Sequence, residues 1–117
     1  MEGTTEKYRV TKDYKAAYDV PLILAKGQTV LIRERESEWP DWCWCTDTTG
    51  LSGWIPKSYV SRDDDGWKAS KNYDSTELSV DKGRILSARF QESDWIWAVD
   101  EQGREGWVPL NHIEPVG

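Results

Sequence analysis

The chain has 117 residues, of which 38% are hydrophobic and 12% aromatic, and eight of its residues are tryptophans. A formal net charge of −6 makes a nucleic-acid backbone an unfavourable partner, because its phosphates are also negatively charged. No apolar run approaches the roughly 18 residues of a membrane-spanning helix, and 1–10 lacks the apolar core of a secretion signal. We therefore expect a cytoplasmic protein that binds neither nucleic acid nor membrane.

Short apolar stretches bounded by turn residues run along the chain, and none keeps a helical period over about 11 residues. Two of these stretches, 30–32 and 85–90, follow the glycines at 27 and 83. Short runs of this kind between turn signals are typical of strands. We therefore predict an all-β fold.

The segment Trp-Cys-Trp-Cys at 42–45 alternates large and small side chains. In a strand Cys43 and Cys45 share one face, so we predict that this face packs in the core and that the indoles point outward. Outward indoles call either for a functional use or for cover by a neighbouring segment. A disulfide between cysteines two residues apart would be strained, and we interpret both as reduced thiols. His112 is the only histidine, so the chain is short of zinc ligands, and we predict no metal and no cofactor.

One order of motifs occurs twice. Asp-Trp-Cys-Trp-Cys at 41–45 is matched by Asp-Trp-Ile-Trp-Ala at 94–98, and Gly-Trp-Ile-Pro at 53–56 is matched in the same register by Gly-Trp-Val-Pro at 106–109. A repeated series of short strands predicts a repeated small β-domain.

The charged segment Arg-Asp-Asp-Asp-Gly at 62–66 separates the two copies. We interpret it as a short, solvated linker, because runs of like charge are mostly solvent-exposed. The predicted domains are 1–61 and 67–117. A linker this short keeps the domains close, so we expect them to pack together, with Trp44 and Trp97 at or near the contact.

The order of motifs in each copy resembles the Src homology 3 (SH3) domain, a barrel of five short strands. The resemblance implies two small five-stranded SH3-like barrels in tandem. It covers the opening strands at 10–14 and 69–73, the Lys-Gly turns at 26–27 and 82–83, the tryptophan pairs, and the endings Gly-Trp-Ile-Pro-x-x-Tyr-Val at 53–60 and Gly-Trp-Val-Pro-x-x-His-Ile at 106–113.

SH3 domains bind extended peptides, often proline-rich, in a groove lined by aromatic rings and a proline. The resemblance implies a protein partner that supplies such a segment, and it implies no catalytic residue. By motif position, the ligand-binding residues are Tyr14, Trp42, Trp54, Pro56 and Tyr59 in the first copy, and Tyr73, Glu77, Trp95, Trp107, Pro109, Asn111 and His112 in the second.

Three departures from the family pattern bear on specificity. Lys12 and Lys71 replace the first tyrosine of each opening motif, which leaves open whether the ligand is proline-rich. The acidic loop position falls on Pro21 in the first copy and on Glu77 in the second. His112 replaces a groove tyrosine. We therefore predict that the second groove, with Glu77, prefers a ligand that carries a cation.

Three other classes of function compete with peptide binding. Catalysis is not expected, because the chain shows neither a Ser-His-Asp set nor a glycine-rich phosphate loop. Bacterial SH3-like modules that bind cell-wall peptides share this coarse pattern but act outside the cytoplasm. A structural tandem, with degenerate grooves occluded between the copies, is the third alternative.

Overall fold

The computed structural model describes residues 6–17, 20–33, 35, 37 and 39–116. In this part of the chain the regular elements are β-strands and two single 3-10 turns, which confirms the all-β prediction, and no helix there has the length and apolar character to cross a bilayer. Part of the segment inspected for a secretion signal, 1–5, lies outside the described residues. The strands are β1 (Glu6–Val10), β2 (Ile23–Leu24), β3 (Thr29–Arg33), β4 (Trp42–Thr46), β5 (Ser52–Pro56), β6 (Val60–Asp63), β7 (Gly66–Ala69), β8 (Tyr73–Asp74), β9 (Ile85–Glu92), β10 (Trp95–Val99), β11 (Glu105–Pro109) and β12 (Ile113–Pro115).

These strands form two compact units, each with a five-stranded antiparallel sheet compatible with an SH3-like barrel. Unit 1 contains the described residues within 1–19 and 76–117, and its sheet has the order β11-β10-β9-β1-β12. Unit 2 contains 20–75, with the order β5-β4-β3-β7-β6 and a small β2-β8 pair. The 3-10 turns at Lys57–Tyr59 and Leu110–His112 fall where each copy's last motif predicts a short turn.

The composition of the units differs from the predicted division into 1–61 and 67–117. Strand β1 pairs with β9 and β12, so that Arg9 lies opposite Ile85 on one side and Glu114 on the other. Strand β7 pairs with β3 and β6 instead of joining the later strands. Each unit therefore takes its opening strand from the other half of the chain.

The segment predicted as a linker is the turn of a β-hairpin. Asp63 at the end of β6 lies opposite Gly66 at the start of β7. Gly66 has φ +110°, a conformation that glycine adopts without the steric cost of a side chain. Asp63 Oδ1 accepts a hydrogen bond from the Asp65 N–H at 2.8 Å, and Lys68 Nζ donates to Asp63 Oδ2 at 3.0 Å. A two-residue connection makes its strands antiparallel neighbours, and this turn therefore keeps β7 beside β6.

Equivalent contacts recur in both units although the segments are exchanged. In unit 1 the Lys82 N–H donates to Asp13 Oδ1 at 2.7 Å, and in unit 2 the Lys26 N–H donates to Asn72 Oδ1 at 2.8 Å. Both bonds tie the opening segment to the Lys-Gly turn that precedes the next long strand. Each exchanged segment thus makes, in its new unit, the contact that the repeat assigns to that position.

An aspartate that accepts hydrogen bonds from the turn closes both the β4–β5 and the β10–β11 hairpin. Asp47 Oδ1 accepts hydrogen bonds from the N–H and hydroxyl of Thr49 and from the Leu51 N–H, at 2.6 to 3.0 Å. These bonds, led by the one from the Thr49 hydroxyl, hold the pKa of Asp47 below its usual value. Asp100 takes the same place in unit 1, where its Oδ1 accepts from the Gln102 and Arg104 N–H groups. The carboxylates fix the two turns and therefore the register of the strands.

The small-residue faces of the tryptophan-rich strands lie in the cores, as predicted. Cys45 and Ala98 are both fully buried at equivalent positions. Of the two expectations for the outward indoles, cover by a neighbouring segment holds for Trp42 and Trp95, which are only 7% and 8% exposed. Both rings leave the core side of the strand, but other side chains cover them, as the Tyr14 ring covers Trp95 at a centroid distance of 5.6 Å.

The exchange of segments predicts a specific disulfide. Lys7 and Ser87 are direct antiparallel partners, and such partners lie about 4.5–5.5 Å apart at Cα, within disulfide range. We expect the double variant Lys7→Cys, Ser87→Cys to form an intramolecular crosslink under mild oxidation, detected by mass spectrometry of the monomer. The matched control is the double variant Lys7→Cys, Leu31→Cys. Leu31 holds the position of the repeat that Ser87 holds in the second copy, so it would lie opposite Lys7 if β1 paired with β3. A crosslink in the control pair and none in the first pair would show that the strands pair in chain order.

Burial predicts the chemistry of Cys45. Removal from water, with smaller effects from Cys43 and Asp47, raises the pKa of the Cys45 thiol from 9.0 to about 12. We expect slow reaction of native protein with a thiol reagent at about pH 8, and fast reaction in denaturant. Because the unfolded thiol ionises first, its contribution to stability is intact below pH 9 and is lost as the pH rises toward 12. Prompt native labelling of Cys45 would contradict its place in the core.

Candidate functional site

The register of neighbouring strands brings a tryptophan and a proline together in each unit. Trp42 of β4 lies opposite Pro56 of β5, and Trp95 of β10 lies opposite Pro109 of β11. The backbone continues from each proline directly into a 3-10 turn. These turns present Tyr59 in unit 2 and the histidine of the second motif in unit 1.

In unit 1 three predicted site residues meet around one tyrosine. The Tyr14 ring contacts Trp95 and His112 edge-on, at centroid distances of 5.6 and 5.4 Å. The Tyr14 hydroxyl donates to Glu77 Oε1 at 2.7 Å, and the Ala17 N–H donates to the same oxygen at 2.9 Å. This cluster contains Glu77, Trp95 and His112 as predicted, but its tyrosine is the one assigned by sequence to the other groove.

The backbone around Glu77 is held against β11. The Trp107 N–H donates to the Thr76 carbonyl at 2.9 Å, and the Leu78 N–H donates to the Trp107 carbonyl at 3.1 Å. Trp107 is 2% exposed and Pro109 is fully buried. These two predicted site residues therefore support the site and offer almost no surface to a ligand. Asn111 is exposed, and its Oδ1 lies 2.6 Å from His112 Nδ1.

In unit 2 the corresponding tyrosine is Tyr73, which the sequence assigned to the second groove. Its ring contacts Tyr59 edge-on at 5.4 Å, and its hydroxyl donates to the Trp54 carbonyl at 2.6 Å. Tyr73 is only 5% exposed, whereas Tyr59 and Trp54 are partly exposed. The sequence therefore identified the types of ring in each cluster. The exchange of segments places Tyr14 in the cluster of unit 1 and Tyr73 in the cluster of unit 2.

Two cations lie over predicted site rings of unit 2, and a third, Arg62, lies over Trp67 at 5.9 Å. The Arg35 guanidinium carbon is 4.2 Å from the centroid of Trp44 and 5.7 Å from that of Trp54. Lys71 Nζ is 4.5 Å from the centroid of Tyr59. These distances are typical of cation–π contacts. Sequence analysis noted Lys71 only as a missing tyrosine and did not single out Arg35.

A surface cavity of about 240 Å³ adjoins Trp42 in unit 2. Of its lining residues only Trp42 was predicted as a site residue. The segment between β3 and β4 carries one basic and one aromatic residue, Arg35 and Trp39, and no sequence motif marks them as site residues. The cavity is lined by Arg35, Ser37, Trp39, Pro40, Trp42, Cys43 and Lys57.

The rings expected at the contact between domains make contacts inside single units. Trp44 lies edge-on to Trp54 at 5.3 Å. Trp97 stacks on Phe90 at 6.3 Å, and its indole N–H donates to Glu105 Oε1 at 2.9 Å. Both tryptophans therefore stabilise the sheet of their own unit.

Residues 7–63 match the family model of the variant SH3 domain. This range follows chain order and so includes β1, which lies in unit 1, together with most of unit 2. The matched segment carries Trp42, Trp54, Pro56 and Tyr59, the rings and proline assigned to the first groove.

Three relatives carry SH3 in their names. The chain is 25% identical to the SH3 and PX domain-containing protein 2B of Mus musculus, over 93% of its own length and 13% of the relative's. It is 27% identical to the SH2/SH3 adapter protein dreadlocks of Drosophila melanogaster, over 90% and 23% of the two lengths. It is 29% identical to the Sorbin and SH3 domain-containing protein 1 homolog of Caenorhabditis elegans, over 87% and 11%. The chain thus spans less than a quarter of each relative, and the matches support a protein-interaction module.

The close approach of the Glu77 segment to β11 depends on a glycine. A Cβ at Gly106 would lie 2.8 Å from the Leu78 nitrogen and 2.9 Å from the Glu77 carbonyl carbon, both of them backbone atoms. At the equivalent Gly53 the nearest atoms are side-chain atoms at 3.2 and 3.3 Å. We expect Gly106→Ala to lower the free energy of unfolding by about 2 kcal/mol and Gly53→Ala by less than about 1 kcal/mol, in chemical denaturation. Equal losses would show that the Glu77 segment can move away from β11.

Proposed function

We propose that the chain is a non-catalytic protein-interaction module in which each unit binds an extended peptide segment of a partner protein. The observation that carries this proposal is the cluster of rings beside a Trp–Pro pair in each unit. Unit 1 combines Tyr14, Trp95 and His112, and unit 2 combines Tyr59 and Tyr73. The SH3 match over 7–63 supports the same function.

Flat rings next to a rigid proline suit an extended ligand. A polyproline-type segment is already extended before it binds, so it loses little conformational entropy on docking. Tyr59 and His112 are partly exposed on the 3-10 turns, and they offer the accessible edges of the two clusters. The neighbouring tryptophans, Trp42 and Trp95, supply largely buried support.

The two units differ in charge at these clusters. In unit 1 the Glu77 carboxylate belongs to the ring cluster, where it accepts a hydrogen bond from the Tyr14 hydroxyl. A ligand that carries Arg or Lys gains attraction to this carboxylate, which favours a cationic segment for unit 1. One oxygen of Glu77 already accepts two hydrogen bonds, so the carboxylate acts on the ligand mainly through its charge.

The alternative of a structural pair without a ligand is favoured by one observation. Trp42 and Trp95, which family members use to contact ligand, are 7% and 8% exposed. If these rings only support the fold, no peptide will perturb their signals. The two functions therefore predict different results in the same binding experiment.

The test is a titration of the full chain, with the indole N–H signals of labelled tryptophans as reporters. We expect proline-containing peptides to shift the signals of Trp42 and Trp54 in unit 2 and of Trp95 in unit 1. Tyr59→Ala should weaken binding to unit 2 by at least about fivefold, because truncating an aromatic anchor commonly costs over about 1 kcal/mol. His112→Ala should weaken binding to unit 1 in the same way.

The matched control for this titration is Leu31→Ala, which removes an apolar side chain of unit 2 that is 70% exposed and lies in β3. It should leave both affinities unchanged. Peptides that shift no indole signal at millimolar concentration would refute peptide binding and favour the structural alternative.

A further inference from the structure

The cations of unit 2 indicate that its ligand carries negative charge. We propose that unit 2 takes an acidic peptide segment, whose Asp or Glu side chains contact Arg35, Lys57 and Lys71 while its backbone lies on the rings. This inference rests on the proposed peptide-binding function and names the ligand class of one of its two sites. It reverses the charge preference argued above for unit 1.

The first support is that two predicted site rings of unit 2, Trp54 and Tyr59, already have cations of the chain over them. Arg35 lies over Trp44 and Trp54, and Lys71 lies over Tyr59. A ligand cation approaching Trp54 or Tyr59 would meet these charges and be repelled. A carboxylate approaching the same rings would meet cations that the ring contacts hold in position, so less side-chain entropy is lost on binding.

The second support is the charge of the adjoining cavity. Its volume of about 240 Å³ is bounded by Arg35 and Lys57, together with the aromatic rings of Trp39 and Trp42. Among the lining residues that the structure describes, the charged side chains are those of Arg35 and Lys57. An acidic side chain entering the cavity is complementary in charge to these two side chains, while its methylene groups pack on the indoles.

The third support is the contrast with unit 1, where the corresponding rings have other neighbours. Trp107, the equivalent of Trp54, contacts Phe90 edge-on at 5.6 Å. His112, the equivalent of Tyr59, contacts Tyr14, whose hydroxyl donates to Glu77. The same positions of the repeat thus have a ring and a cation as neighbours in unit 2, and rings and a carboxylate in unit 1.

The difference in charge between the units comes from the acidic loop position. Lys71 follows β7 and enters unit 2, whereas Lys12, at the equivalent position of the repeat, lies in unit 1. The exchange therefore leaves one lysine of the opening motif in each unit. The acidic loop position is Glu77 in unit 1 and Pro21 in unit 2, so only unit 1 has a carboxylate there.

The test compares peptides of equal length that contain proline and differ only in one pair of side chains, Glu, Gln or Arg. The full chain is titrated with each peptide, and the Trp54 and Trp95 indole signals report on units 2 and 1 separately. We expect the Glu peptide to bind unit 2 more tightly than the Arg peptide, and the order to be reversed in unit 1. The preference in unit 2 should shrink as salt is raised, since exposed charges are screened.

Two substitutions test the cations themselves. Arg35→Gln and Lys71→Gln should each weaken the Glu peptide at unit 2 by about threefold to tenfold, the range expected for one partly exposed charge pair. The matched control is Lys26→Gln, which makes the same charge change at an exposed position of the Lys-Gly turn in unit 2. It should leave the affinity within the experimental error.

A third variant tests the acidic residues that alternate with Arg35 in the chain. Glu34, Glu36 and Glu38 lie outside the described residues, and the triple variant E34Q/E36Q/E38Q removes their charge. We expect tighter binding of the Glu peptide, because the variant removes negative charge next to Arg35 in the chain. If the triple variant instead abolishes binding of the Arg peptide at unit 2, these glutamates select the ligand and the inference is wrong.

The remaining outcomes separate this inference from the proposed function. Equal binding of the Glu and Arg peptides at unit 2, or equal effects of Arg35→Gln and Lys26→Gln, would overturn the acidic ligand and leave peptide binding intact. Binding of a phosphorylated peptide alone would overturn the assignment to carboxylates. If no peptide shifts either reporter, the peptide-binding function itself fails, and the acidic ligand fails with it.

Discussion

The two-residue connection between β6 and β7 is the constraint on which the composition of both units depends. Because Asp63 lies opposite Gly66, β7 must be the antiparallel neighbour of β6. The place beside β6 and β3 is then filled, and β1 instead pairs with β9 and β12. One tight turn therefore determines the partners of strands that lie far from it in the chain.

The exchange of segments also determines the composition of the two ring clusters. Tyr14 and Tyr73 each lie in the unit formed mainly by the other half of the chain, and each contacts the residue of the 3-10 turn, His112 or Tyr59. A substitution in either opening segment should therefore affect the unit that a chain-order division would leave untouched. It follows that the segment 7–63, matched as one variant SH3 domain, contains parts of both clusters.

The sequence was sufficient for the fold class and for the core faces of the strands, because the alternation of side chains is a local property. Cys45 and Ala98 are buried as their positions in the repeat predict. The low exposure of Trp42 and Trp95 could be expected only as one of two alternatives, because side chains from other segments cover these rings. The assignment of Tyr14 and Tyr73 could not be deduced, since equivalent positions of a repeat fit either unit equally well. The β6–β7 turn could have been predicted from the sequence, because Asp-Asp-Gly between two strand-like segments favours a hairpin.

The exchanged and chain-order arrangements contain equivalent strand pairs, so the choice between them lies in the connections. A hairpin with a two-residue turn closes a very short loop and forms within microseconds, whereas pairs between distant strands pay a larger entropic cost and form later. We therefore expect β6 and β7 to pair before β9 is ordered, which leaves β1 to complete unit 1. The Asp65 N–H bond to Asp63 and the positive φ of Gly66 favour this turn over an extended linker. Local turn chemistry thus decides which of Tyr14 and Tyr73 belongs to each binding cluster.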